Sequence, residues 1–161
     1  MTDDMDPAPL HVHDGSVRPE WIDGSGHMYA AYYVVAFGEA NDVVLDMLGL
    51  GEAYRQQTQS APFLLEMHTT YLREMRQDVG FKVTFQLLEF DQRRLRYFLS
   101  MYHAEEGHLV ATVETAIIHV DLATRKSSDL PAIALEKLAE IHRTHRELKI
   151  PPQAGRGISL S

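Results

Sequence analysis

The order and patterning of its segments predict an α+β fold for this chain, an antiparallel five-stranded sheet curled around one long central helix, with a further helix near the C-terminus. Three observations carry the expectation. The stretch from about His27 to Leu48 is apolar over most of a helical circumference. One strand-length segment precedes it and four follow it. The 161 residues suffice for one domain with its own core and are short for two.

Met1–Leu10 is acidic and Pro-interrupted and reads as a loose leader. His11–Arg18 has the length of a first strand, followed by Pro19, Trp21 and a turn at Asp23-Gly24-Ser25-Gly26. The helix runs to Leu48 and is stopped by Gly49 and Gly51. Its polar residues Glu39, Asp42 and Asp46 form a narrow stripe with Asn41 beside it. Val34, Val35, Phe37, Ala40, Val43, Val44, Met47 and Leu48 cover most of the remainder, so the helix is expected to be enclosed on nearly all sides. Glu52–Ser60 reads as a polar link. The strands expected next are Phe63–Glu74, Val79–Phe90, Arg93–His103 and Leu109–Asp121. Phe81, Val83, Phe85 and Leu87 alternate with Lys82, Thr84 and Gln86, and Leu95, Tyr97, Leu99 and Met101 share one face. Short connections at Asp91-Gln92 and Glu105-Glu106-Gly107 make the last three an antiparallel meander. Pro131 opens an amphipathic helix to about Leu148, and Ile150–Ser161 is a Pro/Gly-punctuated tail.

Composition narrows the chemistry. The net charge is −8 without Lys/Arg runs, which argues against unaided binding to nucleic acid. No apolar stretch is long enough to span a bilayer, and the acidic N-terminus does not resemble a secretory signal, so a cytoplasmic protein is expected. The absence of Cys removes thiolate nucleophiles and Cys-based zinc sites. Two histidine pairs, His11-x-His13 and His142-x-x-His145, lack an evident third ligand and read as solvated surface rather than metal sites.

Trp21-Ile22-Asp23-Gly24-Ser25-Gly26-His27-Met28 is the segment richest in chemistry. It sets a carboxylate, a hydroxyl and an imidazole at alternate positions before a helix start, where backbone N–H groups lack partners. Those donors suit either a side-chain cap, with Asp23 or Ser25 as N-cap and His27 in the first turn, or the oxyanion of a reacting carbonyl.

The run Val17-x-Pro19-Glu20-Trp21-Ile22-Asp23-x-x-Gly26-His27-Met28, with Ala31-x-Tyr33 and Ala40, resembles the hotdog-fold acyl-CoA thioesterases of the 4-hydroxybenzoyl-CoA thioesterase-like superfamily. Leu65-Glu66-x-His68, Tyr71-Leu72-Arg73-Glu74, Gln86-Leu87-Leu88, Glu114, His119-Val120-Asp121 and Pro152-x-Ala154-Gly155-Arg156 extend the resemblance to the betainyl-CoA thioesterase group of bacterial carnitine breakdown. The resemblance covers nearly the whole chain and implies a single hotdog domain over 1–161. It also implies hydrolysis of a short or polar acyl-CoA without metal or organic cofactor, CoA being part of the substrate. Asp23 takes the place of the family's catalytic carboxylate, as base or nucleophile, with His27, Ser25 and Glu74 beside it. The amide near Tyr29 or Ala30 takes the place of the donor that polarises the thioester. Ser25 stands where the family usually has Asn, and Tyr29 where it has a small or amide residue. A homodimer joined edge to edge by its sheets, or a dimer of dimers, is the implied assembly, with pockets between subunits.

Tyr29, Tyr32, Tyr33, Trp21, Tyr54 and Phe63 supply rings that suit a quaternary ammonium such as betaine's, or simply pack the helix. Glu66, His68 and Thr70 share a strand face that lines a pocket or a wet sheet surface. Arg73, Arg76, Arg93, Arg94 and Arg96 are candidates for CoA phosphates. Two other readings stay open: a hydratase using His27 and Glu39 as acid and base, and a non-catalytic acyl-CoA-binding module.

Overall fold

The computed structural model describes residues 7–160. In chain order these form β1 (Leu10–Ser16), a 3-10 turn (Pro19–Trp21), α1 (Ala30–Met47), α2 (Glu52–Thr58), β2 (Ser60–Tyr71), β3 (Gly80–Phe90), β4 (Arg94–His103), β5 (Leu109–Asp121), β6 (Lys126–Ser127) and α3 (Ala132–His145). The five long strands pair antiparallel in the order β1-β3-β4-β5-β2, and β6 adds to β5. β3, β4 and β5 form the expected meander.

The alternation read from the sequence decides which face is inside. Phe81, Val83, Phe85 and Leu87 of β3 and Leu95, Tyr97, Leu99 and Met101 of β4 are all buried. Tyr33, Ala36, Phe37, Ala40 and Val44 of α1 meet them at helical spacing. Burial of a side chain such as Phe37 contributes about 1.5–3 kcal/mol. Gly15 is required where β1 crosses β3, because a Cβ there would lie 2.4 Å from the Phe81 ring. α1 ends in a Schellman motif: Gly49 (φ +74°) donates to Asp46 O, and Leu50 donates to Leu45 O at 2.8 Å.

Several expectations are corrected. α1 starts at Ala30, three residues later than read, because Met28 and Tyr29 donate their amides to Met75 O and Trp21 O instead of entering a helix. Glu52–Ser60 is not a link. It contains α2, whose Tyr54 hydroxyl lies 2.8 Å from Nε2 of the buried His119. The sheet has a sixth, two-residue strand, β6. The leader read over Met1–Leu10 gives up Leu10 to β1, and its first six residues lie outside the described residues. α3 ends at His145, short of Leu148. His145 is buried rather than solvated, and its Nδ1 accepts the Leu87 amide at 2.9 Å.

Nor is α1 enclosed on nearly all sides. Val34, Val35 and Val43 are 37%, 45% and 39% exposed, and Leu64 and Leu65 on the free β2 edge are 57% and 56% exposed. One flank of the helix and the neighbouring sheet edge are therefore apolar and uncovered. No helix among the described residues is long and apolar enough to cross a membrane.

Candidate active site

The turn before α1 is anchored at both ends by apolar side chains. Trp21 and Met28 are buried, and Ile22 pairs with Met28 in an isolated bridge. Trp21 stacks on Tyr32 with ring centres 5.7 Å apart, and the Arg18 guanidinium lies 4.6 Å from the Trp21 ring centre. Arg18 in turn holds Glu39 at 2.6 Å. Between the anchors the chain folds back on itself, with Asp23 N–H on His27 O and Gly26 N–H on Asp23 O. Gly26 adopts φ +83°, a conformation that favours glycine there. This reversal leaves Asp23 and Ser25 exposed and His27 half-buried at the tip.

The four predicted polar residues meet in a line. Asp23 Oδ1 accepts Ser25 Oγ–H at 2.5 Å and Ser25 N–H at 2.8 Å. Ser25 Oγ lies 3.3 Å from His27 Nδ1, and His27 Nε2 lies 3.0 Å from Glu74 Oε2. Glu74 reaches this position because the Met28 amide donates to Met75 O at 2.8 Å, tying the 72–79 segment to the turn. The Ser25 hydroxyl and amide hold the Asp23 carboxyl below the usual carboxylate range, so it is ionised at neutral pH. Ser25 has one hydroxyl proton. At 2.5 Å it goes to Asp23, and Oγ keeps its lone pairs on the side of His27.

The cap reading of Asp23 and Ser25 does not hold, since the N-cap is Tyr29 and no side chain caps the helix. The Tyr29 amide is engaged by Trp21 O at 2.8 Å. The amides of Ala30 and Ala31 meet no acceptor among the described residues and stand at the positive end of α1. Tyr71, a residue the site reading passed over, donates its hydroxyl to Ala30 O at 3.0 Å and packs edge-on against Tyr33, centres 5.3 Å apart. The motif Tyr71-Leu72-Arg73-Glu74 was its only signal in the sequence.

The other predicted residues divide. Trp21 and Tyr33 are core residues, while Tyr29 is 53% exposed and touches Tyr32 edge-on. Phe63 sits at the opposite end of β2 from Tyr71. Glu66 and His68 lie on the outer face of the sheet, opposite Ala116 and Glu114 of β5, in a recess of about 490 Å³ also lined by Arg96, Gly155 and Arg156. None of these three joins Asp23 in this chain. Glu39 faces β1, with His13 and Arg18 as partners, so it does not pair with His27 as a hydratase would need. No cluster of three metal-ligating side chains occurs among the described residues.

The curled sheet around a helix, with this turn at the helix start, defines a hotdog protein of the thioesterase class. The chain belongs to the thioesterase-like superfamily, whose sequence model it matches over residues 17–138. Among its relatives is the betainyl-CoA thioesterase of Pseudomonas aeruginosa, 30% identical over 94% of this chain and 95% of that protein. The L-carnitine dehydrogenase/betainyl-CoA thioesterase of Rhizobium meliloti is 33% identical over 93% of this chain, which spans 30% of that longer protein. A Staphylococcus aureus protein solved in complex with CoA superposes with a TM-score of 0.90 at 28% identity, covering 99% of this chain and all of its own. These findings bear out the resemblance to betainyl-CoA thioesterases.

Proposed function

We propose that this chain hydrolyses betainyl-CoA, or a similarly small cationic acyl-CoA, to the free acid and CoA. The reading is carried by one observation: a carboxylate, Asp23, held by Ser25 in the turn that leads into the uncapped start of α1. Asp23 Oδ1 is taken up by Ser25, which leaves Oδ2 to accept a proton from water as that water attacks the thioester carbonyl carbon. The Ala30 amide is the donor for the oxyanion that forms. Collapse breaks the C–S bond, and the proton on Asp23 passes to the CoA sulfur. His27 acts on Ser25 rather than on the substrate. Its ring lies against Ser25 Oγ at 3.3 Å and holds that side chain beside Asp23, while Glu74 fixes the ring from the other side.

The acyl preference rests on the relatives' substrate and on Tyr29, whose half-exposed ring beside Tyr32 suits a trimethylammonium group. The uncovered α1 flank and the β2 edge support a homodimer with β2 paired antiparallel to its counterpart. Such pairing carries the Phe63 end of one β2 toward the Tyr71 end of the other and so toward the second Asp23. A panel of acyl-CoAs including betainyl-CoA, followed by free-thiol release, tests the reading. Turnover fastest with betainyl-CoA supports it. Absence of thiol release from every member, with CoA esters still bound, assigns the chain to a binding module instead.

A further inference from the structure

Five arginines of the β2–β4 region were equivalent candidates for the substrate's phosphates in the sequence, and the structure separates them. Arg93 is paired with Asp129 at 2.7 Å and Arg94 with Asp91 at 2.6 Å. Arg96 is shared between Glu89 at 3.0 Å and Glu114 at 3.1 Å. Arg73 and Arg76 are exposed, and neither has a carboxylate within ion-pair distance among the described residues. They flank Glu74, the far end of the line that begins at Asp23. Their segment is also fixed in place. The amides of Leu72 and Arg73 both bond Val110 O, Met75 is buried and takes the Met28 amide, and the Asp78 amide bonds Val17 O. Two guanidinium groups without a carboxylate partner thus stand on one anchored segment of a chain with net charge −8, open to an anion.

We infer that Arg73 and Arg76 hold the phosphates of the CoA portion of the substrate, an inference that rests on the thioesterase reading of the Asp23 site. The three paired arginines are excluded by their own carboxylates, whose attraction a phosphate would have to replace. The two free ones flank Glu74, the far end of that line from Asp23, and a CoA ester likewise sets its phosphates apart from its thioester, across the pantetheine arm.

Calorimetric titration with CoA and with pantetheine, which lacks the nucleotide, tests this without turnover. Arg73→Gln and Arg76→Gln are each expected to weaken CoA binding roughly tenfold, the double variant more, with pantetheine affinity unchanged. Lys126→Gln, which removes one charge from β6 at the other end of the sheet, is expected to leave both affinities as they are. Undiminished CoA affinity in Arg73→Gln/Arg76→Gln overturns the inference. So does an equal loss for pantetheine, or a wild-type protein that binds the two ligands equally well. The failure of the thioesterase reading looks different: CoA binds and depends on both arginines, but no acyl-CoA is cleaved.

Discussion

Replacement of Ser25 by Ala is the perturbation that most directly probes how the turn prepares its carboxylate. The Ser25 hydroxyl is the centre of the line, 2.5 Å from Asp23 Oδ1 and 3.3 Å from His27 Nδ1, so one deletion disconnects both. It is also the largest of the influences that lower the Asp23 pKa, ahead of the Ser25 amide, which survives the change. A hydrogen bond to a charged group is worth on the order of tenfold to a hundredfold when water is excluded. Asp23 is open to solvent, and water replaces part of what Ser25 supplied, so kcat is expected to fall roughly tenfold or less above the acid limb. The pH profile carries the sharper signature. Asp23 must be ionised to act, and loss of the hydroxyl raises its pKa toward the ordinary value. The acid limb of kcat/KM therefore moves to higher pH in Ser25→Ala. Ser25→Asn, which restores the family's usual residue, should bring the limb back. The measurement is kcat/KM for thioester cleavage against pH in all three proteins. An acid limb that stays in place or moves to lower pH would refute the account of Ser25, as would a loss as large as that from removing Asp23 itself.

His145→Ala removes the acceptor of the Leu87 amide and a ring packed 6.0 Å from Phe85, so urea denaturation should show a loss of about 2–5 kcal/mol. Burial lowers the His145 pKa below its unfolded value near 6.5, so the stability this group contributes is complete above about pH 6.5 and is lost as pH falls from there through the folded value. In the Ala variant that part of the pH dependence should vanish. If the two proteins lose stability in parallel between about pH 7.5 and pH 5, His145 is not its source. Leu65→Lys places a charge on the free β2 edge, where Leu65 is 56% exposed. Light scattering is expected to show a dimer for the native chain and a monomer for the variant, with a lower kcat. An unchanged mass would place the subunit contact elsewhere.

The strands were legible in the sequence because each pairs a buried with a solvated face, and alternation reports that directly. β3 and β4 show it most plainly, with Phe81 to Leu87 and Leu95 to Met101 inside. α2 was not legible. Glu52-Ala53-Tyr54-Arg55-Gln56-Gln57-Thr58 has no apolar stripe, and its Tyr54 ring docks on His119, far away in sequence. The start of α1 was misplaced for a related reason. Apolar periodicity continues back through Met28, and it is the long-range bonds of the Met28 and Tyr29 amides to Met75 O and Trp21 O that take these residues out of the helix. Within the site, Asp23, Ser25 and His27 are local in sequence and were legible as a unit, and Glu74 was reached through family resemblance. Composition could not distinguish one arginine from another, since the choice among them depends on which carboxylates the register of the sheet brings near. The same register set Glu66 and His68 on the outer face, away from Asp23.

Thiol release from betainyl-CoA by the native chain and by Asp23→Asn tests the central claim most directly. Asn keeps the shape of the side chain and an oxygen for the Ser25 amide but cannot take a proton from water. The native chain is expected to turn over. The variant is expected to bind CoA with native affinity and to lose kcat by at least ~10²-fold. Equal rates for the two proteins would contradict the assignment of Asp23 and, with it, the mechanism built on this turn.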